Sequence, residues 1–196
     1  MRSSKDSRHI LILNAGSSTV KGALLEVDPC GMRSVSRVSR VMSPESDWET
    51  VCASVIEELA PKTHTIDAVG HRIVHGGSEL IESTVIDPSV EKTLEGLCQL
   101  APMHNPVALA GIRAARERLQ AIPQVGVFDT AFHASRSEVS KVYALPANLC
   151  EEYDIRRYGF HGIAHASLTR ALADAQGVET NAVTAVTLQL GSGCSA

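Results

Sequence analysis

Short apolar runs alternate along this chain with longer stretches in which apolar side chains recur every third or fourth position. Ile10-Leu11-Ile12-Leu13 is an unbroken apolar run and predicts a buried strand. It leads straight into Asn14-Ala15-Gly16-Ser17-Ser18-Thr19, and residues 20–27 read as a second strand, so a hairpin with a polar Gly-Ser tip is expected. Trp48, Val51, Cys52, Val55, Ile56 and Leu59 then recur at helical spacing. Ser43 reads as the N-cap of that helix and Pro44 as its first helical position. Residues 66–74 are strand-like and end at His75-Gly76-Gly77. A helix is predicted over 88–101, with Val90, Leu94, Leu97 and Cys98 on one face, and Asn105-Pro106 opens another that reaches about 119. Residues 125–128 form a short buried strand with Asp129 at its C-terminal end. A short helix after Pro146, a loop over 156–162, a helix over 164–176 and a strand over 183–188 complete the pattern. Strands alternating with helices behind an initial hairpin predict an α/β sheet.

The pattern also echoes itself. Ile12-Leu13-Asn14-Ala15-Gly16-Ser17 and Thr187-Leu188-Gln189-Leu190-Gly191-Ser192 share an apolar strand, an amide side chain, one variable residue, Gly and Ser. So short a match also arises by chance; taken as a repeat, it marks the start of a second copy of the same unit. Its return strand is expected beyond Ala196, so the chain reads as part of a longer protein whose second hairpin is cut at its tip and left unpaired.

Composition narrows the class. The chain has 196 residues, 18 Lys+Arg against 22 Asp+Glu, and 44% hydrophobic residues, which excludes collagen-like, disordered and disulfide-scaffold proteins. The net charge of −4 argues against nucleic acid as a partner, since phosphate-backbone binding needs clustered positive charge. Five dispersed cysteines without a CxxC pair fit a reducing compartment. The apolar run behind the basic residues 1–9 is too short for a signal-peptide core, and no stretch approaches the ~20 residues of a membrane span, so the expected location is cytoplasmic.

Five motifs carry candidate chemistry. The turn at Asn14–Ala15–Gly16–Ser17–Ser18–Thr19, followed by Lys21, aims backbone N–H groups and hydroxyls at one point, as a phosphate cradle does, although ordinary turn chemistry has the same composition. Gly70-His71-Arg72-Ile73-Val74-His75-Gly76-Gly77 delivers Arg72 from a strand for bidentate contact with an oxyanion, or else merely exposes an arginine at a strand end. In Ala101-Pro102-Met103-His104-Asn105-Pro106 the last two residues are explained as a helix start, which leaves His104 unassigned. Asp129 in Phe128-Asp129-Thr130-Ala131-Phe132-His133 lies where α/β sheets place ligand-facing groups; capping of the following helix is the alternative. Arg156-Arg157-Tyr158-Gly159-Phe160-His161-Gly162 is an anion-friendly loop. His161 and His165 have the spacing of a helical zinc pair, but Gly162 stands where a zincin needs its catalytic Glu. Arginines 72, 156 and 157 with histidines 71, 75, 104, 133, 161 and 165 predict a local cationic site for a small anion.

Taken together and in order, these motifs resemble those of the acetate kinase family of acetate, propionate and butyrate kinases. The resemblance runs from about residue 10 to 193 but covers only the N-terminal half of the family's length. It implies the duplicated actin-like, ribonuclease-H-like fold, with residues 1–149 as an N-terminal domain and 150–196 as the incomplete start of its partner. In that fold ATP and substrate occupy a cleft between two domains. The implied reaction is reversible, Mg²⁺- or Mn²⁺-dependent transfer of the γ-phosphoryl group of ATP to acetate or another short-chain carboxylate. By the same resemblance Arg72 binds the carboxylate and the transferring phosphoryl group, His161 stabilises the transition state, and Asp129 orients Arg72 or supports the metal. Asn14, Ser17, Thr19 and Lys21, with Gln189, Gly191, Ser192 and Gly193 from the second hairpin, are implied at the Mg-nucleotide phosphates, Asn14 nearest the metal. Val74, Met103 and Phe160 match the pocket for the substrate's alkyl tail, and His104 is a further polar site residue. The resemblance also implies a homodimer for the whole protein.

The chain departs from the family pattern at Gln189 and Ser192, where the family usually has His and Asn, and at Met103, where Leu is usual. The family's second essential Arg and its metal-binding Glu fall beyond residue 196. Little or no turnover is therefore expected from residues 1–196 alone. A non-catalytic, ATP-binding descendant of the family is the alternative.

Overall fold

The computed structural model describes residues 7–16, 18–43, 45–60, 65–191 and 193–196, so Ser17, Pro44 and Ser192 lie outside the described residues. They fall into two compact units, one of residues up to 75 with 82–127, the other of 76–81 with 128–196.

The first unit is built on β1 (Arg8–Ala15), β2 (Thr19–Asp28) and β3 (Gly31–Val41), followed by α1 (Trp48–Leu59), β4 (Ala68–Ile73), β5 (Thr84–Val85), α2 (Pro88–Gly96), α3 (Asn105–Arg118) and β6 (Gln124–Phe128). The strands form one mixed sheet in the order β3-β2-β1-β4-β6-β5. β1 runs antiparallel to β2 and parallel to β4, with Leu13 opposite Gly22 on one side and His71 on the other. Because strand side chains alternate, the sheet has two different faces. Leu11, Leu13 and Ala15 of β1 point to the same buried face as Val20 and Leu24 of β2 and Val69 of β4. Cys52, Val55, Ile56 and Leu59 of α1 cover that face together with Val107, Ala114 and Ala115 of α3. Gly111 of α3 faces both α1 and β4, since a Cβ there would lie 3.7 Å from Cys52 Sγ and 4.0 Å from His71 Nδ1. Glu91 ties α2 to α3 through Arg113 (3.0 Å) and Arg116.

The helix α1 begins at Trp48 rather than just after Ser43. The Asp47 carboxylate accepts from the N–H groups of Glu49 (3.4 Å) and Thr50 (3.1 Å), which satisfies the orphan donors of the first turn. Ser43 instead bonds Ser46. The helix expected over 88–101 closes at Gly96, and a 3-10 turn follows over 97–99. The sequence pattern missed β3, whose surface is nearly all exposed and so lacks the alternation of a half-buried strand.

The second unit contains α4 (Glu138–Lys141), α5 (Ala147–Glu152), α6 (Gly162–Gln176) and the two-residue strands β7 (Gln189–Leu190) and β8 (Cys194–Ser195). The strand expected over 183–188 is irregular. Those residues have no ladder partner among the described residues, and Val186 (84%) and Leu188 (56%) are exposed. The second hairpin is not left unpaired at its tip, because Gln189 pairs with Ser195 and Leu190 with Cys194. No helix of the described residues is long and apolar enough to cross a membrane.

Candidate functional site

In the first unit, strand alternation separates two neighbours that the sequence had grouped. His71 points into the core and is 2% exposed, whereas Arg72 points to the opposite face. The parallel register that sets Leu13 against His71 brings Asn14 beside Arg72. There the guanidinium Nη1 donates to Asn14 Oδ1 at 3.0 Å, which joins the first and second motifs. Lys21 is exposed on β2 opposite Asn14, and a shallow depression of about 370 Å³ beside it is bordered by Asn14, Lys21 and Arg37. Arg37, on the overlooked β3, adds a cation to this face. Only the recurring Arg in Arg33-Ser34-Val35-Ser36-Arg37-Val38-Ser39-Arg40 signalled it. The turn before β2 closes through Gly16 N–H to the Thr19 carbonyl (2.9 Å), and Thr19 Oγ1 lies 3.3 Å from Ser18 Oγ.

His71 and His75 do not supply charge to an anion site. Burial pushes the His71 imidazole down to about 4, and burial lowers His75 as well. With its amide nitrogen toward the ring, Gln124 donates to His71 Nε2 (2.7 Å) and to the Ile112 carbonyl (3.2 Å). Asn105 is fully buried as the first residue of α3. Its side chain accepts from His75 N–H (3.2 Å) and donates to the His75 carbonyl (2.9 Å). Asn105 therefore fixes the loop leaving β4 rather than capping a helix; the N-cap position belongs to the half-buried His104. Val74 is half-buried and Met103 is 65% exposed.

In the second unit the chemistry gathers at the start of α6. Asp129 is 1% exposed, and its Oδ1 accepts from Ile163 N–H at 3.4 Å, so this carboxylate faces the first turn of α6. Gly162 permits the approach, since a Cβ there would lie 2.0 Å from the Asp129 carbonyl oxygen and 2.6 Å from Phe132 Cβ. His161 occupies the N-cap in the left-handed region (φ 53°), a conformation that costs a non-glycine residue of order 1–2 kcal/mol and that clusters at functional sites.

A hydrogen-bond chain holds that imidazole. Thr187 Oγ1 meets His165 Nδ1 at 2.7 Å, His165 Nε2 meets Ser195 Oγ at 2.8 Å, and Ser195 Oγ meets His161 Nδ1 at 2.9 Å. A hydroxyl has a single proton, so the chain has two self-consistent directions. In one of them Thr187 donates to His165, His165 to Ser195 and Ser195 to His161, which leaves a proton on His161 Nε2. An anion before that nitrogen selects this direction. His165, 2% exposed, thus serves as a buried link in this chain. Sequence reasoning missed Ser195, since only its position after the echoed Gly-Ser turn pointed to it. Gln189, Gly191 and Gly193 shape the same hairpin, and Phe160 is 40% exposed beside it in sequence to His161. The Phe160 carbonyl contacts His133 Nε2 at 2.9 Å. Burial first, then the nearby Arg136, hold His133 below its ordinary pKa even so.

Comparison with known proteins gives these features a family context. The family model described as the Acetokinase family matches residues 45–196. The chain is 39% identical, over an alignment 212 positions long, to the acetate kinase of Streptomyces avermitilis, covering 95% of this chain and 52% of that one. The crystal structure of Porphyromonas gingivalis acetate kinase is similar at 32% identity and a TM-score of 0.74, covering 95% of this chain and 53% of that one. A propionate kinase from Francisella tularensis subsp. tularensis SCHU S4 gives 29% identity and a TM-score of 0.72, covering 88% and 50%. The fold is accordingly the actin-like α/β arrangement that the motifs led one to expect. The chain spans about half the length of the curated relatives it matches.

Proposed function

This chain belongs to the acetokinase family, and from that membership we propose that it supplies the N-terminal half of a carboxylate phosphotransferase. The reaction is reversible: a carboxylate oxygen of acetate or another short-chain acid attacks the γ-phosphorus of ATP, the bond to the bridging oxygen breaks, and acyl phosphate and ADP result. Such a transfer spreads negative charge over phosphoryl oxygens, so fixed cations and N–H donors supply most of the catalysis.

The observation that carries this reading is the Arg72–Asn14 hydrogen bond, which holds a strand-borne guanidinium, whose planar fork suits carboxylate and phosphoryl oxygens, at a set angle beside the first motif. Arg72 binds the carboxylate and the phosphoryl group. His161 donates from Nε2 to developing charge, and the chain through Ser195 and His165 positions it. Lys21, Ser17 and Thr19, with Gln189, Gly191, Ser192 and Gly193, serve the nucleotide phosphates, while Val74, Met103 and Phe160 accept the alkyl tail. Asp129 acts by setting the start of α6.

The described residues hold no cluster of three or more His, Cys, Asp or Glu that would cage a metal, and Asn14 Oδ1 already accepts from Arg72. Of these residues Asn14 would stand nearest a Mg²⁺ carried on nucleotide phosphates. When bound, the ion neutralises charge on the β- and γ-phosphate oxygens. For the whole protein we propose a cytoplasmic homodimer, with residues 1–149 and 150–196 belonging to the two duplicated domains.

Gln189 favours a second reading, since a neutral amide stands where the family usually has His; in it the chain binds ATP without turnover. Phosphorus NMR titration of acetyl phosphate and of ATP, with hydroxylamine trapping of acyl phosphate, separates the readings. The phosphotransferase reading expects residues 1–196 to bind both ligands with little turnover, because the family pattern places further groups beyond them. Binding of ATP but not acetyl phosphate supports the second reading, and turnover equal to that of a full-length relative contradicts the expected division of the site.

A further inference from the structure

The second unit contains a pocket of about 150 Å³ that neither Asp129, Phe160 nor His161 lines. Four of its lining side chains, Arg136, Lys141, Arg156 and Arg157, are cationic, and none is a carboxylate. Two of the four are neutralised nearby, Lys141 by Glu138 at 2.8 Å and Arg156 by Asp154 at 3.0 Å. Arg136 and Arg157 have no carboxylate partner among the described residues.

Arg136 is nevertheless held in place. Its Nε donates to the His133 carbonyl (3.2 Å) and its Nη2 to the Arg157 carbonyl (2.7 Å), which leaves Nη1 with both of its protons uncommitted. The Arg157 guanidinium lies 4.8 Å from the centre of the Tyr143 ring, so its flat face is occupied and its edge donors remain. Thr130 Oγ1, also at the pocket wall, accepts from Gly76 N–H at 2.9 Å and keeps its own proton to donate. Two guanidinium groups without a counter-ion repel each other, and neither loses its charge at any ordinary pH. An anion relieves that repulsion and meets donors already in position.

We propose that this pocket binds a compact phosphate-class oxyanion at Arg136 and Arg157, either as the free ion or as the terminal group of a small phosphomonoester. A carboxylate presents two oxygens in one plane. The donors here come from Thr130, Arg136 and Arg157, three separate points of the chain, and suit the divergent oxygens of a tetrahedral ion better. The site makes no use of Arg72 and stands apart from the phosphotransferase reading.

Calorimetric titration of the whole 196-residue chain with inorganic phosphate at low ionic strength, repeated with methyl phosphate and with acetate, tests it. Arg72→Gln is expected to keep a phosphate site, while Arg136→Gln and Arg157→Gln, each added to that Arg72→Gln chain, weaken it by at least about tenfold, as loss of a charge-assisted contact does. Circular dichroism shows whether each variant folds, and the exposed Arg157 covers the case in which Arg136→Gln does not. Methyl phosphate binding as tightly as phosphate assigns the monoester, and weaker binding assigns the free ion; either upholds the site. Unchanged phosphate affinity on adding Arg157→Gln, loss of all binding in Arg72→Gln, or acetate binding as tightly as phosphate overturns it.

Discussion

His71 shows how much a single side chain's environment decides. Within a motif of His, Arg and Gly it reads as a candidate cation, yet its place on the inward face of β4 makes it a neutral core group held at about 4. An unfolded chain protonates the same imidazole near 6.5. Between those values the unfolded state binds a proton that the folded state refuses, so stability falls as pH drops through this window and is intact above it. The full effect is roughly 3 kcal/mol, at about 1.4 kcal/mol per unit of displacement. Urea unfolding midpoints of the parent chain should therefore drop between pH 7 and pH 4, and those of His71→Gln should drop less; equal slopes contradict the assignment. Asn105 teaches the same lesson in reverse. The dipeptide Asn-Pro reads as a helix start, and only the fold reveals that the amide clasps both backbone groups of His75.

Among the elements, α6 depends most on close backbone contact. Its first residue, Gly162, meets the Asp129 carbonyl so closely that no side chain fits, and the obstacle is backbone that cannot rotate away. Gly162→Ala should destabilise the chain by about 1–3 kcal/mol, as overpacking does. Gly96, at the end of α2, has open space where a Cβ would go, so Gly96→Ala should be neutral or stabilising by up to about 1 kcal/mol. Thermal melting of the two variants is expected to move in different directions, and a Gly162→Ala melt at or above the parent's would contradict the crowding. Elements with a buried face were legible in the sequence: β1, β2, α1, α3 and β6 fall where apolar periodicity puts them. The exposed β3 gave no such signal, and apolar residues 183–188 promised a strand that finds no ladder partner among the described residues. Periodicity reports burial, and it misleads where an element is exposed.

At the scale of the whole molecule, ordered motifs carried the family and the fold, because five spaced motifs together are far more specific than any one. The contacts that hold the motif residues were less legible. Register placed Asn14 on Arg72, and the folding of α6 against the second hairpin placed Ser195 between two histidines. Neither pairing follows from residue type, since each joins segments far apart in sequence. Arg72 is the proposed grip on the transferred phosphoryl group. Its most direct test is the affinity for acetyl phosphate of the parent chain and of Arg72→Gln, both in an Arg136→Gln background so that the second-unit pocket does not contribute. At least a tenfold loss in Arg72→Gln, with the fold intact by circular dichroism, is the predicted result; equal affinity in the two proteins would contradict the assignment of Arg72.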